Sequence, residues 1–128
     1  MTVAFWCVLI VILLPLVCTS IAKFSSGKFG ARQNHNPRDF LDNLEGLPRR
    51  AHAAQQNSFE AIPGFAAAVI IAHVAGVAQL VTIDVLAVLF VTSRLLYIIF
   101  YLADLAALRS LVWFIGLALV VALFGVSV

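Results

Sequence analysis

Two ionisable residues, Glu60 and Arg94, lie inside long apolar stretches of the 128-residue chain. A charged side chain in the middle of a bilayer costs about 2.5 to 3.5 kcal/mol, so in a membrane each of them needs a partner or a function. Glu60 follows Arg50 by ten residues, which places it about 15 Å along its helix. Arg94 precedes Asp104 by ten residues and reaches about the same depth on the next helix. We therefore expect these two charges to pair, within one subunit or across an interface.

At 100° per residue along a helix, each of these charges shares its helix face with other hydrogen-bonding side chains, which together form a stripe. The stripe on the second apolar segment consists of Arg50, Asn57 and Glu60. The stripe on the third consists of Arg94, Tyr97 and Tyr101. Two interpretations are open at this point. The stripes either form a structural network between helices, or they line a cavity for a polar ligand, with Arg50 and Arg109 at its mouth.

The composition shows which elements must position these side chains. Hydrophobic residues make up 63% of the chain and charged residues 11%, with a mean hydropathy of +1.08. Soluble domains are roughly half apolar and a quarter charged, so a soluble domain is excluded. Long unbroken apolar runs also exclude a β-barrel, which needs alternating segments. We predict an all-α membrane protein, a four-transmembrane-helix bundle forming a single domain over residues 1–128, with spans at 2–22, 50–76, 80–103 and 106–127.

The polar segment 23–49 sets the predicted orientation. Basic residues concentrate in it and directly after it, at Lys23, Lys28, Arg32, Arg38, Arg49 and Arg50. Because cytoplasmic loops are enriched in Lys and Arg, we predict that this loop is cytoplasmic and that both termini are outside. Topology and anionic headgroups thus account for the net charge of +2, and no nucleic-acid partner is indicated.

The first apolar segment has an alternative interpretation as a signal peptide, because Ser20-Ile21-Ala22 is similar to a cleavage site. No basic residue precedes the segment, and it is longer than the ~7 to 15 apolar residues usual in signal peptides. These two features favour a membrane span.

Few histidine and acidic residues lie near the predicted turn between the second and third apolar segments. His73 and Asp84 lie at similar depths on neighbouring segments, and we expect them to form a hydrogen-bonded pair. One histidine and one aspartate make a poor ligand set, so no metal site is expected.

Two separated motifs are similar to those of a known family. The segment RAHAAQQNSFEAIPGF, residues 50–65, resembles the signature of the MAPEG family, the membrane-associated proteins in eicosanoid and glutathione metabolism. The segments RLLYIIFY, residues 94–101, and RSLVW, residues 109–113, resemble the third helix and the start of the fourth. The similarity covers most of the chain from about Asn36 to Trp113 and is greatest to the short bacterial members.

This resemblance implies a homotrimer in a lipid bilayer, with small lipophilic substrates that arrive from the lipid. It implies a bacterial inner-membrane glutathione transferase or peroxidase-like protein, with glutathione as co-substrate bound between subunits. Matching positions imply that glutathione contacts Arg50, Asn57, Glu60, Arg94, Tyr97 and Tyr101. Arg109 corresponds to the catalytic arginine, and a cationic donor beside a thiol favours the thiolate nucleophile.

Two positions depart from the family pattern. Ala53 stands where many glutathione-binding eukaryotic members have an arginine, and Ala61 where a tyrosine often follows the glutamate. Each replacement removes a polar side chain that could anchor the tripeptide. The alternative is a non-catalytic bacterial membrane protein of the same fold, whose polar network is structural or binds an unidentified ligand.

Overall fold

The structure, a computed structural model, describes residues 1–128, and all its regular elements are helices. In chain order these are α1 (Val3–Ser25), a 3-10 turn (Gln33–His35), α2 (Pro37–Asp42), α3 (Gly46–Ala75), α4 (Leu80–Leu102) and α5 (Ala106–Gly125). The four long helices α1, α3, α4 and α5 are each long and apolar enough to cross a membrane. The predicted all-helical class with four candidate spans is therefore confirmed.

Helix bounds differ most around the polar loop. Helix α1 continues to Ser25, and α3 begins at Gly46, so the connection is shorter than the polar composition indicated. The connection also contains α2, which has Pro37 at its first position. Proline is well suited there because the first helical N–H groups have no intrahelical acceptor. Leu41 and Leu44 pack with Ala22 and Ala51, which attaches the loop to the bundle.

The bundle core combines large apolar side chains with several fully buried alanines. Helix α1 packs mainly against α3, and α4 packs against α5, α3 and α1. Ala4, Ala68, Ala72 and Ala87 are fully buried in the main cluster. Small side chains let helix backbones approach closely, which favours helix association in a membrane. We call the end of the bundle at Ser25, Gly46, Leu102 and Ala106 the loop end, and the opposite end the termini end.

A tight turn at the termini end makes α3 and α4 antiparallel. Gly76 ends α3 with a φ of 67°, a left-handed conformation that glycine adopts without steric cost. The turn falls where the sequence predicts it, and α4 begins at Leu80. It places the polar side chains near the end of α3 beside the start of α1.

The expected pair of His73 and Asp84 is not formed. Asp84 instead accepts a hydrogen bond from the backbone N–H of Ala4 at 2.7 Å. His73 donates from Nδ1 to the Val69 carbonyl at 2.7 Å, so in the neutral ring Nε2 accepts from the Thr2 hydroxyl at 2.8 Å. The prediction was wrong because the first N–H groups of α1 lack acceptors within their own helix and compete for the Asp84 carboxylate.

Candidate ligand-binding site between α3, α4 and α5

Arg94 is the buried centre of the polar side chains on α3 and α4. Its side chain lies in α4 and the residue is only 4% exposed. Nη2 donates a hydrogen bond to Oδ1 of Asn57 at 2.8 Å. The guanidinium carbon also lies 4.3 Å from the centroid of the Tyr97 ring, within the range of a cation–π contact. Nε of Arg94 is buried and has no hydrogen-bond partner.

Glu60 does not form the predicted ion pair with Arg94 inside the subunit. No Lys or Arg side chain forms a salt bridge within the chain, and the one contact between a basic and an acidic side chain joins Nε2 of His52 to Oδ1 of Asp42 at 3.3 Å. Asn57 lies between the two charges, because its Oδ1 faces Arg94 while its Nδ2 donates to Glu60 at 3.5 Å. A guanidinium can only donate, so this orientation of the amide is the one that satisfies both neighbours. Glu60 itself is exposed on the surface of the single chain.

Two tyrosine rings connect Arg94 to the arginine at the start of α5. Tyr97 and Tyr101 pack edge to face with their ring centroids 5.7 Å apart. The guanidinium carbon of Arg109 lies 4.4 Å from the centroid of Tyr101. The two cations therefore lie at opposite ends of an aromatic pair, one buried and the other near the loop end.

Arg50 lies apart from this cluster. Its Nε donates to the Leu102 carbonyl at 3.2 Å, one of the last carbonyls of α4. Such carbonyls have no intrahelical donor, and a cationic side chain is a favourable partner for them. Arg50 thus connects the start of α3 to the end of α4, and its predicted role in ligand binding stays a prediction.

Two adjoining cavities bring the other predicted site residues together. The inner cavity, of about 190 Å³, is lined by Asn57, Glu60, Ala61, Gly64, Phe90, Arg94, Trp113, Gly116, Leu117 and Val120. The tyrosine cavity, of about 240 Å³, is lined by Asn57, Tyr97, Tyr101, Arg109, Ser110, Trp113 and Phe114. Asn57 and Trp113 line both cavities. The pair thus joins a largely apolar space to a polar one that carries Arg109.

Apart from Arg109, the sequence analysis did not predict the residues that α5 contributes to these walls. Trp113 was not among the candidate site residues, yet it lines both cavities. The signal was its spacing, because residues four apart share a helix face and Trp113 follows Arg109 by four. Gly116 continues the wall, and a Cβ there would meet Oγ of Ser93 at 3.2 Å, so glycine permits the close approach of α5 to α4.

A model of the MAPEG family matches residues 3–128. The chain belongs to the MAPEG family. The resemblance of the two motifs is confirmed, and the match extends beyond them to α1 and the end of α5. No curated protein and no solved structure matches the chain.

Membership of the MAPEG family makes this a membrane-embedded helical protein. The site of this MAPEG chain combines two guanidinium groups, two tyrosines and one amide with the Glu60 carboxylate. Guanidinium groups bind carboxylates through short charge-assisted hydrogen bonds, and a carboxylate binds an ammonium group in the same way. The arrangement is thus suited to a small molecule that carries both carboxylates and an amine.

Proposed function

We propose that this MAPEG protein is a membrane glutathione transferase or peroxidase-like enzyme that conjugates or reduces lipophilic substrates. The observation that carries the proposal is the state of Arg94, whose buried Nε has no acceptor although the residue lines the inner cavity. A buried donor without a partner costs about 1 to 3 kcal/mol, and more on a charged group. A carboxylate of glutathione in the inner cavity would pair with the Arg94 guanidinium and offset part of the cost of burying this charge.

The two cavities suggest a division of roles. Arg94, Asn57 and Glu60 hold the charged groups of glutathione, and Tyr97 and Tyr101 donate from their hydroxyls. Arg50, at the loop end, is a further residue that we propose contacts glutathione. Glutathione supplies the thiol, and Arg109 acts as the catalytic cation that favours its thiolate form. The apolar part of the inner cavity accepts the lipophilic substrate.

Exposure of Glu60 supports a second copy of the chain at this site. Glu60 and Gly64 are both exposed on one face of α3 in the single chain. A carboxylate that faces lipid well inside a bilayer is costly, so a neighbouring subunit is expected to cover it. The family resemblance indicates three subunits, and we propose a homotrimer with glutathione bound between neighbours.

The distribution of basic residues supports a location and an orientation. Lys28, Arg32 and Arg38 lie in the connection between α1 and α3, and Lys23 lies in the last turn of α1. Because cytoplasmic loops are enriched in Lys and Arg, this distribution supports a cytoplasmic loop with both termini outside. We propose a bacterial inner membrane, with glutathione entering from the cytoplasm, where the tyrosine cavity lies at the loop end.

A conjugation assay with an aromatic electrophile tests this proposal. The wild-type protein, purified in detergent, is expected to turn over in proportion to its concentration, and Arg109→Ala to lose turnover. Arg38→Gln is the matched control, since Arg38 lies on the loop and lines neither cavity. Absence of wild-type turnover across several electrophile classes would contradict the proposal.

A non-catalytic MAPEG protein is the second candidate, and one observation favours it. Arg50 is engaged with the Leu102 carbonyl, and Ala53 and Ala61 provide no polar group to replace it. In that case the network of Arg94 and Asn57 is structural. Loss of oligomer assembly in Arg94→Ala, together with no glutathione binding by the wild type, would support this candidate over the first.

A further inference from the structure

A third cavity, the loop cavity, lies outside the candidate site. It measures about 680 Å³ and shares no lining residue with the inner cavity or the tyrosine cavity. Its wall carries two basic residues, Lys28 and Arg32, and two acidic residues, Asp39 and Glu45. The cavity therefore presents both signs of charge to one bound molecule.

The residues that line the loop cavity indicate its depth relative to the bilayer. Ser26 lines it and directly follows the end of α1 at Ser25. Pro48 also lines it and lies in the first turn of α3. Two candidate spans leave the apolar layer beside this cavity, so it lies at the level of lipid headgroups.

The charged side chains of the loop cavity are available to a ligand. Lys28, Arg32 and Glu45 form no ion pair within the chain. Asp39 is held in place by its neighbours, because its side chain accepts from Asn36 and its carbonyl accepts from Nδ2 of Asn43 at 2.8 Å. The cavity thus has one acidic side chain held by a hydrogen bond, that of Asp39, and two cations without ionic partners.

We propose that the loop cavity binds the headgroup of phosphatidylethanolamine. Lys28 and Arg32 pair with the phosphate, and Asp39 and Glu45 accept hydrogen bonds from the primary ammonium group. Phosphatidylcholine fits less well because its quaternary ammonium has no N–H to donate. Phosphatidylglycerol fits less well because its headgroup offers no cation to the two carboxylates.

Lipid titration monitored by native mass spectrometry tests this site. The purified protein is titrated with phosphatidylethanolamine, phosphatidylcholine and phosphatidylglycerol of identical acyl chains. We expect phosphatidylethanolamine to bind most tightly, and the double variant Lys28→Gln with Arg32→Gln to weaken its binding by about a hundredfold, as for loss of two charge-assisted contacts of about tenfold each. Glu45→Gln is expected to weaken phosphatidylethanolamine but not phosphatidylglycerol.

Matched variants separate this site from general charge attraction. Arg38→Gln removes one positive charge from the same loop, but Arg38 lines a different cavity, so it is expected to retain lipid binding. Equal weakening in Arg38→Gln, or equal binding of the three lipids, would overturn the proposal. Soluble phosphoethanolamine binding as tightly as the lipid would overturn the assignment to a membrane lipid. Lys28→Arg with Arg32→Lys keeps the charge, and loss of binding in that variant would also overturn it.

Discussion

The buried guanidinium of Arg94 is held by Asn57, whose Oδ1 accepts a hydrogen bond from Nη2 at 2.8 Å. The same amide donates to Glu60 from Nδ2 at 3.5 Å. Asn57 therefore connects a buried cation to an exposed carboxylate without direct contact between the charges. Nε of Arg94 has no hydrogen-bond partner in this arrangement, and the residue lines the inner cavity.

Replacing Asn57 tests whether its hydrogen bond to Arg94 stabilises the folded protein. Asn57→Ala removes the acceptor of a buried charged donor, and we expect a loss of about 1.5 to 3 kcal/mol of stability. Asn57→Asp keeps an acceptor oxygen and is expected to lose less. Thermal unfolding in detergent measures both variants. Equal destabilisation by the two substitutions would show that the hydrogen bond between Asn57 and Arg94 does not account for the loss of stability.

Tyr101 is expected to act through Arg109, since its ring lies 4.4 Å from the guanidinium carbon. Tyr101→Leu removes the ring, and we expect kcat to fall by about tenfold, equivalent to the ~1.4 kcal/mol typical of a cation–π contact. Tyr101→Phe keeps the ring and loses only the hydroxyl, so it should raise KM for glutathione and leave kcat near the wild-type value. Steady-state kinetics separate the two parameters. A similar fall of kcat in both variants would argue against positioning by the ring.

Gly64 lines the inner cavity, where a Cβ would meet no other heavy atom within 4 Å. Gly64→Leu should therefore fill the cavity from α3 while keeping the helix intact. We expect turnover of a bulky lipophilic substrate to fall more than turnover of a small one. Gly64 also lies on the face of α3 that we propose a neighbouring subunit covers, so glutathione affinity by calorimetry and the oligomeric state in detergent both serve as controls and should change little. Parallel loss for both substrates would place the lipophilic molecule elsewhere.

The contact of Asp84 with the Ala4 N–H is predicted to stabilise the start of α1. Asp84→Ala removes an acceptor that acts like a helix N-cap, and we expect a loss of about 1 kcal/mol. Amide hydrogen exchange should accelerate at the first residues of α1 and remain unchanged at the loop end. Asp84→Asn retains an acceptor oxygen and should exchange more slowly than Asp84→Ala. Identical exchange in both variants and the wild type would contradict this role.

Particular residues show how far the sequence could predict this fold and site. Apolar runs predicted the four long helices because a bilayer demands about 20 apolar residues per span. Spacing also predicted that Glu60 and Arg94 lie at the same depth in the membrane. Depth along the helix axis, however, does not determine which side chain of α3 contacts Arg94. Asn57 lies on the same face as Glu60 and offers both an acceptor and a donor, so it takes the contact with Arg94.

Contacts at the termini end were also not predictable from the depth of the residues alone. His73 and Asp84 were predicted to pair from their similar depths, yet both contact the start of α1. The free N–H groups of a helix start are not visible as a pattern of residue types. Likewise, the inner cavity depends on Gly116 of α5 approaching α4, which only the packed helices reveal.

Titration calorimetry of glutathione into the purified protein tests the central claim most directly. We predict saturable binding by the wild type at millimolar glutathione, and loss of that binding in Arg94→Gln, which removes the cation beside the inner cavity. Arg38→Gln, outside both cavities, should bind as the wild type does. No detectable binding by the wild type at millimolar glutathione would contradict the proposed function.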